Sequence, residues 1–489
     1  MTAPVTTPTR TFAEVPTGLY IGGEWRDASD GARMEVHDPA TDKLIAEVAS
    51  GSVDDARAAV EAAQAAGADW AATPPRQRGE MLRRTWELMI EQREALVDLI
   101  VAEGGKSRAD AVGEVNYAAE FFRWFSEEAV RAIGQVQTAP NGDKRILTLL
   151  QPVGVSVLVT PWNFPAAMAT RKIGPALAAG CTVVLKPASD TPLTALVVAQ
   201  LVAQAGLPAG VVNVLPSRRS GAVVGAMLEH PATRKLSFTG STEVGRILLE
   251  KAAASIVNCS MELGGNAPFL VFADADLDAA LDGAMVAKMR NAGESCIAAN
   301  RFYVEAPVAD EFAGRLSERM AALRVGPGTD PANDVGPMIN AGACRDVAAL
   351  VDGAVAAGAK VLTGGGPRNG AGHFFEPTVL AGVPAGDPIL ANEIFGPVAP
   401  VVTFASESEA IGMANATPYG LAGYVYTQDL ARALRVSERL EVGMVGVNRG
   451  FISDPAAPFG GVKQSGLGRE GGHDGLLEFL ESKYVAVDW

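Results

Sequence analysis

The chain has 489 residues, 48% of them hydrophobic and only 6% aromatic, with 53 glycines and a formal net charge of −15. That length exceeds what one hydrophobic core serves, so two or more domains are expected. The acidic balance argues against nucleic acid or an anionic membrane as the main partner, since both require a positive field.

Cys181, Cys259, Cys296 and Cys344 are too sparse and irregular for a disulfide framework or a paired-cysteine metal site, and a reducing cytoplasm fits them best. His37, His230, His373 and His473 lack zinc-ligand spacing, so no metal is expected. The opening Met1-Thr2-Ala3-Pro4-Val5-Thr6-Thr7-Pro8 has no basic segment ahead of an apolar core, and no apolar run reaches bilayer length. Secretion and membrane insertion are therefore not expected.

In chain order, residues 53–135 read as largely helical, from the alanine-rich Val53 to Ala66 through a charged stretch from Pro75 to Lys106. Val136 to Thr138 and Arg145 to Leu150 flank Asn141-Gly142, a turn pair suited to a β-hairpin. From Val153 onward short apolar runs alternate with helical patterns. Strand-like Gly154 to Val159, Thr182 to Leu185, Val211 to Val214 and Lys235 to Phe238 enclose helices from about Met168 to Ala179 and Leu193 to Ala205. That alternation predicts right-handed crossovers and a parallel, doubly wound sheet. A second α/β region runs from about Phe269 to residue 465, and Tyr484 to Trp489 reads as a terminal strand. The hairpin and the tail are apolar yet stand outside the main alternation, which suggests pairing with other subunits.

A doubly wound sheet binds dinucleotides at the carboxyl ends of its strands. Gly240 to Gly245 lies at such a junction, although its G-x-x-x-x-G spacing also suits a plain strand-to-helix turn. Lys186-Pro187-Ala188-Ser189 ends another strand, with a cation and a hydroxyl where an adenosine ribose would lie. The carboxylate that selects NAD is not evident there, which tilts the expectation toward NADP, with NAD the alternative and Asp190 able to act either way.

The most telling segment is Asn291-Ala292-Gly293-Glu294-Ser295-Cys296, a thiol in a loop of small residues, preceded by Met261-Glu262-Leu263-Gly264-Gly265-Asn266. A reachable thiol with a carboxylate on a separate turn suits covalent catalysis through a thioester. With Thr160-Pro161-Trp162-Asn163-Phe164-Pro165, Phe238-Thr239-Gly240-Ser241 and Glu393-Ile394-Phe395-Gly396-Pro397, these segments follow the order of a known family. The chain resembles the aldehyde dehydrogenase superfamily over nearly its whole length, and within it looks most like the bacterial succinate-semialdehyde dehydrogenases.

The resemblance implies an α/β fold with a Rossmann-type cofactor domain (1–132 and 153–262), an α/β catalytic domain (263–465) and a small β oligomerisation arm (133–152 and 476–489), assembled as homodimers or homotetramers. It implies Cys296 as nucleophile, Asn163 as oxyanion donor and Glu262 as the base that activates water. Trp162, Asn163, Lys186, Pro187, Ala188, Ser189, Gly240, Ser241, Leu263 and Glu393 would line the cofactor site. Presence of the base implies a free acid as product. Arg171, Arg290 and Ser453 match residues that hold a distal carboxylate in the succinate-semialdehyde enzymes, and paired guanidiniums suit that task. Broader aldehyde oxidation, of glutarate semialdehyde or of aromatic or aliphatic aldehydes, is the alternative reading.

Two acids complicate the substrate. Glu294 stands where Gln is common and would raise the thiol pKa if it faced it, whereas binding backbone would leave the thiol alone. Asp454, beside Ser453, would repel a second carboxylate unless Arg449 offsets it. Ala298 replaces a second cysteine found in some relatives, which removes a redox switch. Cys181 reads as core packing, and the glycines of 459–468 read as loops that shape the site.

Overall fold

A computed structural model describes residues 15–488. The residues behind the expectation of no secretory leader, together with Trp489, lie outside this range.

Two large sheets organise the chain. In the first, the strands Val155–Val159, Val183–Lys186, Val212–Val214, Thr233–Thr239 and Asn258–Glu262 run parallel. Asn258–Glu262 lies at one side, followed by Thr233–Thr239, Val155–Val159, Val183–Lys186 and Val212–Val214. Chain order reverses between Val155–Val159 and Thr233–Thr239, so a crevice opens at their carboxyl ends. The five strands are almost wholly buried, as expected of apolar runs covered by helices on both faces.

In the second sheet Val398–Phe404, Ala299–Glu305, Ala267–Val271, Ala422–Tyr426 and Met444–Val447 are neighbours in that order, all parallel. Its core centres on Phe269, whose ring stacks on Tyr426 at 4.9 Å. The chain crosses from one sheet to the other at residues 263–266, between Asn258–Glu262 and Ala267–Val271. It returns at Gly466–Leu467, an antiparallel edge strand that sets Gly466 opposite Glu262. Residues far apart in sequence thus meet at the seam between the sheets.

Gln135–Thr138, Arg145–Pro152 and Leu480–Val487 make a separate three-stranded antiparallel sheet. The hairpin loop is longer than the two-residue turn suggested by Asn141-Gly142. It spans residues 139–144, and Gly142, at φ 76°, donates to the Ala139 carbonyl inside it. Four short strands between Leu19 and Ala49 escaped the sequence reading, because turns interrupt their alternation too often for a periodic signal.

Helix starts are set by specific acids. Ser52 and Asp55 form a reciprocal capping box before the helix Val53–Ala72. Buried Glu114 accepts from the main-chain N–H groups of Ala166 (2.9 Å) and Ala167 (3.3 Å) at the start of Pro165–Ala179. Glu103 does the same for Leu193 and Thr194, both at 2.8 Å, at the start of Pro192–Gln204. Two helix N-termini along the crevice are therefore already occupied by carboxylates.

Candidate active site

Cys296 is half-buried at the end of a loop whose backbone is strained. Asn291 (φ 53°), Ala292 (φ 53°) and Gly293 (φ 77°) are consecutive left-handed residues, a conformation that costs a non-glycine residue about 1 kcal/mol. Side chains hold the loop there. Asn291 Nδ2 donates to the carbonyls of Asn163 and Glu294, both at 3.1 Å, while Asn163 Nδ2 donates to the Glu294 carbonyl at 3.0 Å. Asn163 Oδ1 is buried without a partner, and among the described residues its amide nitrogen donates only to the Glu294 carbonyl. Lys106 Nζ completes the clamp, 2.7 Å from the Asn163 carbonyl and 2.5 Å from Glu114.

Glu262 ends its strand buried, with neither carboxylate oxygen hydrogen-bonded. Burial, reinforced by Glu470, holds its carboxyl well above the usual range. Glu470 follows the returning edge strand. Burial alone would raise its carboxyl too, but Lys172 and Arg171 hold it below the ordinary value. Lys172 bonds one Glu470 oxygen and the Ser237 hydroxyl, and Arg171 Nε lies 2.6 Å from the other oxygen. Of these two neighbouring carboxyls, Glu262 holds a proton the more readily. Burial pushes the Cys296 thiol up to about 12, with Glu393, Glu262 and Glu470 adding to the shift and Arg171 opposing it.

Glu294 does not act on the thiol. Its carboxyl turns away and accepts from the Ile339 N–H at 3.0 Å, and burial lifts it to about 8. Asp454 is exposed and accepts from Ala456 N at 2.9 Å within its own turn, while Arg449 Nε donates to the Phe451 carbonyl.

At the crevice, Lys186 is buried at its strand end, and its ammonium makes no hydrogen bond or ion pair among the described residues. Burial lowers it to about 8, with Asp190 opposing the shift. Pro187 is buried and Ala188 and Ser189 are partly exposed beside it. Gly240 N donates to the Glu262 carbonyl at 3.1 Å, and Ser241 caps the helix Thr242–Ala253 through Val244 N. A Cβ on Gly245 would lie 2.5 Å from Leu263 Cδ2, so glycine there lets Leu263 seat against this helix. Trp162 meets Phe395 edge-on at 5.6 Å, and Glu393 accepts from Gly265 N at 3.1 Å.

Arg290 lies among the rings of Phe164 (4.7 Å), Phe451 (4.9 Å) and Tyr117 (5.6 Å). Arg171 is buried against Phe459 (4.1 Å) and Phe121 (5.4 Å), and its Nη2 has no hydrogen-bond partner. Ser453 Oγ is 3.0 Å from Tyr117 Oη. Among the described residues no cluster of three or more His, Cys, Asp or Glu is placed to hold a metal ion, and no helix is long and apolar enough to cross a membrane.

Residues 25–485 match the model of the aldehyde dehydrogenase family. The chain belongs to that family. It is 56% identical over 444 residues to a succinate-semialdehyde dehydrogenase of Paenarthrobacter nicotinovorans, covering 91% of this chain and 99% of that protein. It is 49% identical over 468 residues to a glutarate-semialdehyde dehydrogenase of Pseudomonas aeruginosa, covering 96% and 97%. The crystal structure of an NADP-dependent enzyme of Escherichia coli superposes with a TM-score of 0.96 at 47% identity, covering 97% of this chain and 98% of the other.

The sequence reading missed several residues of this aldehyde dehydrogenase site. Lys106 and Glu114 sit in charge-rich helical sequence that looks like a solvated face. Lys172 is masked by its neighbour Arg171. Glu470 lies among glycines that read as loop punctuation, and Tyr117 has no motif around it.

Proposed function

We propose that this aldehyde dehydrogenase oxidises succinate semialdehyde to succinate with NADP+ and water. The observation that carries the reading is that Arg171 and Arg290 rest on neighbouring rings of one helix, Phe121 and Tyr117, with Arg290 at the start of the loop that leads to the thiol, in a chain of net charge −15. Guanidiniums retained at a site in so acidic a protein suit an anionic substrate. Ser453 supplies a hydroxyl to the same carboxylate, and the 56% identical relative is named for this substrate. Glutarate semialdehyde, one methylene longer, is the second reading, favoured by the 49% identical Pseudomonas relative. A single methylene is discriminated by only about 1–3 kcal/mol.

Cys296 Sγ attacks the aldehyde carbon, and the free N–H of Asn163 receives the developing oxyanion. The thiol proton is lost to solvent as the carbon–sulfur bond forms. A dinucleotide held by Trp162, Lys186, Ser241 and Leu263 would supply the hydride acceptor for this oxidation, after which Cys296 carries the product as a thioester. Glu262, in its ionised form, then takes a proton from water as the water attacks that thioester and passes it to the departing Cys296 sulfur, releasing the free acid and the thiol.

The crevice suits the dinucleotide. The helix starts at Pro165 and Pro192 are filled by Glu114 and Glu103, which leaves the Ser241-capped helix to receive a pyrophosphate. Buried, unpaired Lys186 with Ser189 suits a ribose phosphate, hence NADP over NAD. A second copy of the chain would cover the exposed edge at Gln135–Thr138, where Val136 is 73% exposed, giving a homodimer or homotetramer. Four unpaired cysteines suit the cytoplasm.

Product stoichiometry tests the chemistry. Glu262→Gln should release about one NADPH per site and then stall, and Cys296→Ala should release none. Undiminished steady turnover by Glu262→Gln would remove the assigned base.

A further inference from the structure

The two arginines and the serine come from separate parts of the chain, yet one helix face touches all three groups. Tyr117 and Phe121 lie four residues apart on the helix Arg108–Glu128, so they project from the same side. Their rings pack edge-on at 4.9 Å. The Phe121 ring lies 5.4 Å from the Arg171 guanidinium and the Tyr117 ring 5.6 Å from that of Arg290. Rings beneath guanidiniums favour the cation and restrict its rotation without using its N–H donors; Arg171 Nε faces Glu470, and its Nη2 stays open to a ligand.

The hydroxyl of Tyr117 adds a direction. It lies 3.0 Å from Ser453 Oγ, and either oxygen can donate. A carboxylate accepts only, so when Ser453 spends its single O–H on one, the bond between the two hydroxyls must run from Tyr117 to Ser453. Without the phenol, the serine hydroxyl would rotate among alternatives. With it, the donor is aimed before the substrate arrives, which lowers the entropy cost of binding.

We propose that Tyr117 is the positioning residue that makes this chain selective for a carboxylated aldehyde, orienting the Ser453 hydroxyl by hydrogen bond and supporting Arg290 with its ring. This rests on the carboxylate reading of the site given above.

The test measures kcat and KM of the full-length enzyme for succinate semialdehyde and for butanal. Tyr117→Phe keeps the ring and removes one hydrogen bond, so the ratio of kcat/KM for the charged over the uncharged aldehyde should fall about 3- to 10-fold, chiefly through KM. Tyr117→Leu, which also removes the ring, should lower the ratio further. In a Ser453→Ala background the effect of Tyr117→Phe should vanish, because the bond it breaks is already gone. A merely structural tyrosine would instead weaken both aldehydes alike, or add its loss to that of Ser453→Ala, and either result overturns the proposal. Arg290→Ala separates the two levels. If it leaves the ratio intact, the carboxylate reading and the proposal fall together. If it collapses the ratio while neither Tyr117 variant moves it, only the proposal falls.

Discussion

A Cβ on Gly265 would overlap the main-chain carbonyl oxygen of Cys296 and lie 3.3 Å from Leu421 Cβ. The turn that carries Glu262 out of the first sheet therefore packs backbone against backbone on the thiol loop, and only glycine allows that approach. This contact keeps the strand end that bears Glu262 near enough to the thiol for its charge to act there.

Gly265→Ala is the mildest way to disturb it. Displacement of the loop by about 1 Å should lower kcat about 100-fold, with the far-ultraviolet circular dichroism unchanged. Steady-state kinetics on the purified variant check this, and activity within a factor of two of the parent would show that the loop yields freely.

Arg171 and Arg290 should differ when each is cut to alanine. Arg171 is the buried partner of Glu470 at 2.6 Å, and losing one member of a buried ion pair costs about 3–5 kcal/mol. Arg290 is partly exposed and forms no ion pair among the described residues. Thermal unfolding should show a clear drop in Tm for Arg171→Ala and little change for Arg290→Ala, so the substrate test belongs on Arg290.

Lys186 should make cofactor affinity depend on pH. Burial lowers its ammonium to about 8, so the charge is present below that pH and lost as pH rises through it. NADP affinity should hold up to about pH 8 and then fall, with proton uptake on binding at pH 8.5, because a phosphate favours the charged form. Titration calorimetry in buffers of different ionisation enthalpy reads both quantities. NAD, lacking the ribose phosphate, should respond less, and Lys186→Met should flatten the NADP profile.

Glu294 should make stability depend on pH in the opposite sense from a salt-bridged acid. Its folded carboxyl is raised from 4.5 to about 8, so the folded state holds a proton that the unfolded chain releases. The resulting stability is full below about pH 4.5 and is lost as pH rises through about 8. Glu294→Gln removes that dependence, and its Tm relative to the parent should improve from pH 5 to pH 9. A constant difference across that range would mean that Glu294 is ionised throughout.

Much of the molecule was legible in the sequence because its signals are local. Alternating apolar runs and helical periods announce the parallel sheet, since burial of a strand on both faces leaves a continuous hydrophobic run. Small residues around Cys296 and the Gly264-Gly265 turn mark places where chain must approach chain. Lys186 was identifiable by its place at a strand end. The sequence could equally suggest Arg171, Arg290 and Ser453 as a group, but only by resemblance, since each alone looks like an ordinary polar residue.

The tertiary structure decided what surrounds each of them. Ionisation depends on burial and on charges brought from elsewhere, so the raised carboxyl of Glu262, the lowered one of Glu470 and the turn of Glu294 toward Ile339 had no local signature. The contacts of Tyr117 likewise join one helix to two distant loops. By itself the sequence determined which chemical groups this aldehyde dehydrogenase has and which of them sit on strand ends and turns. The fold decided which groups share a cavity and which of them hold a proton, because those depend on distances and solvent exclusion that exist only once the two sheets are packed.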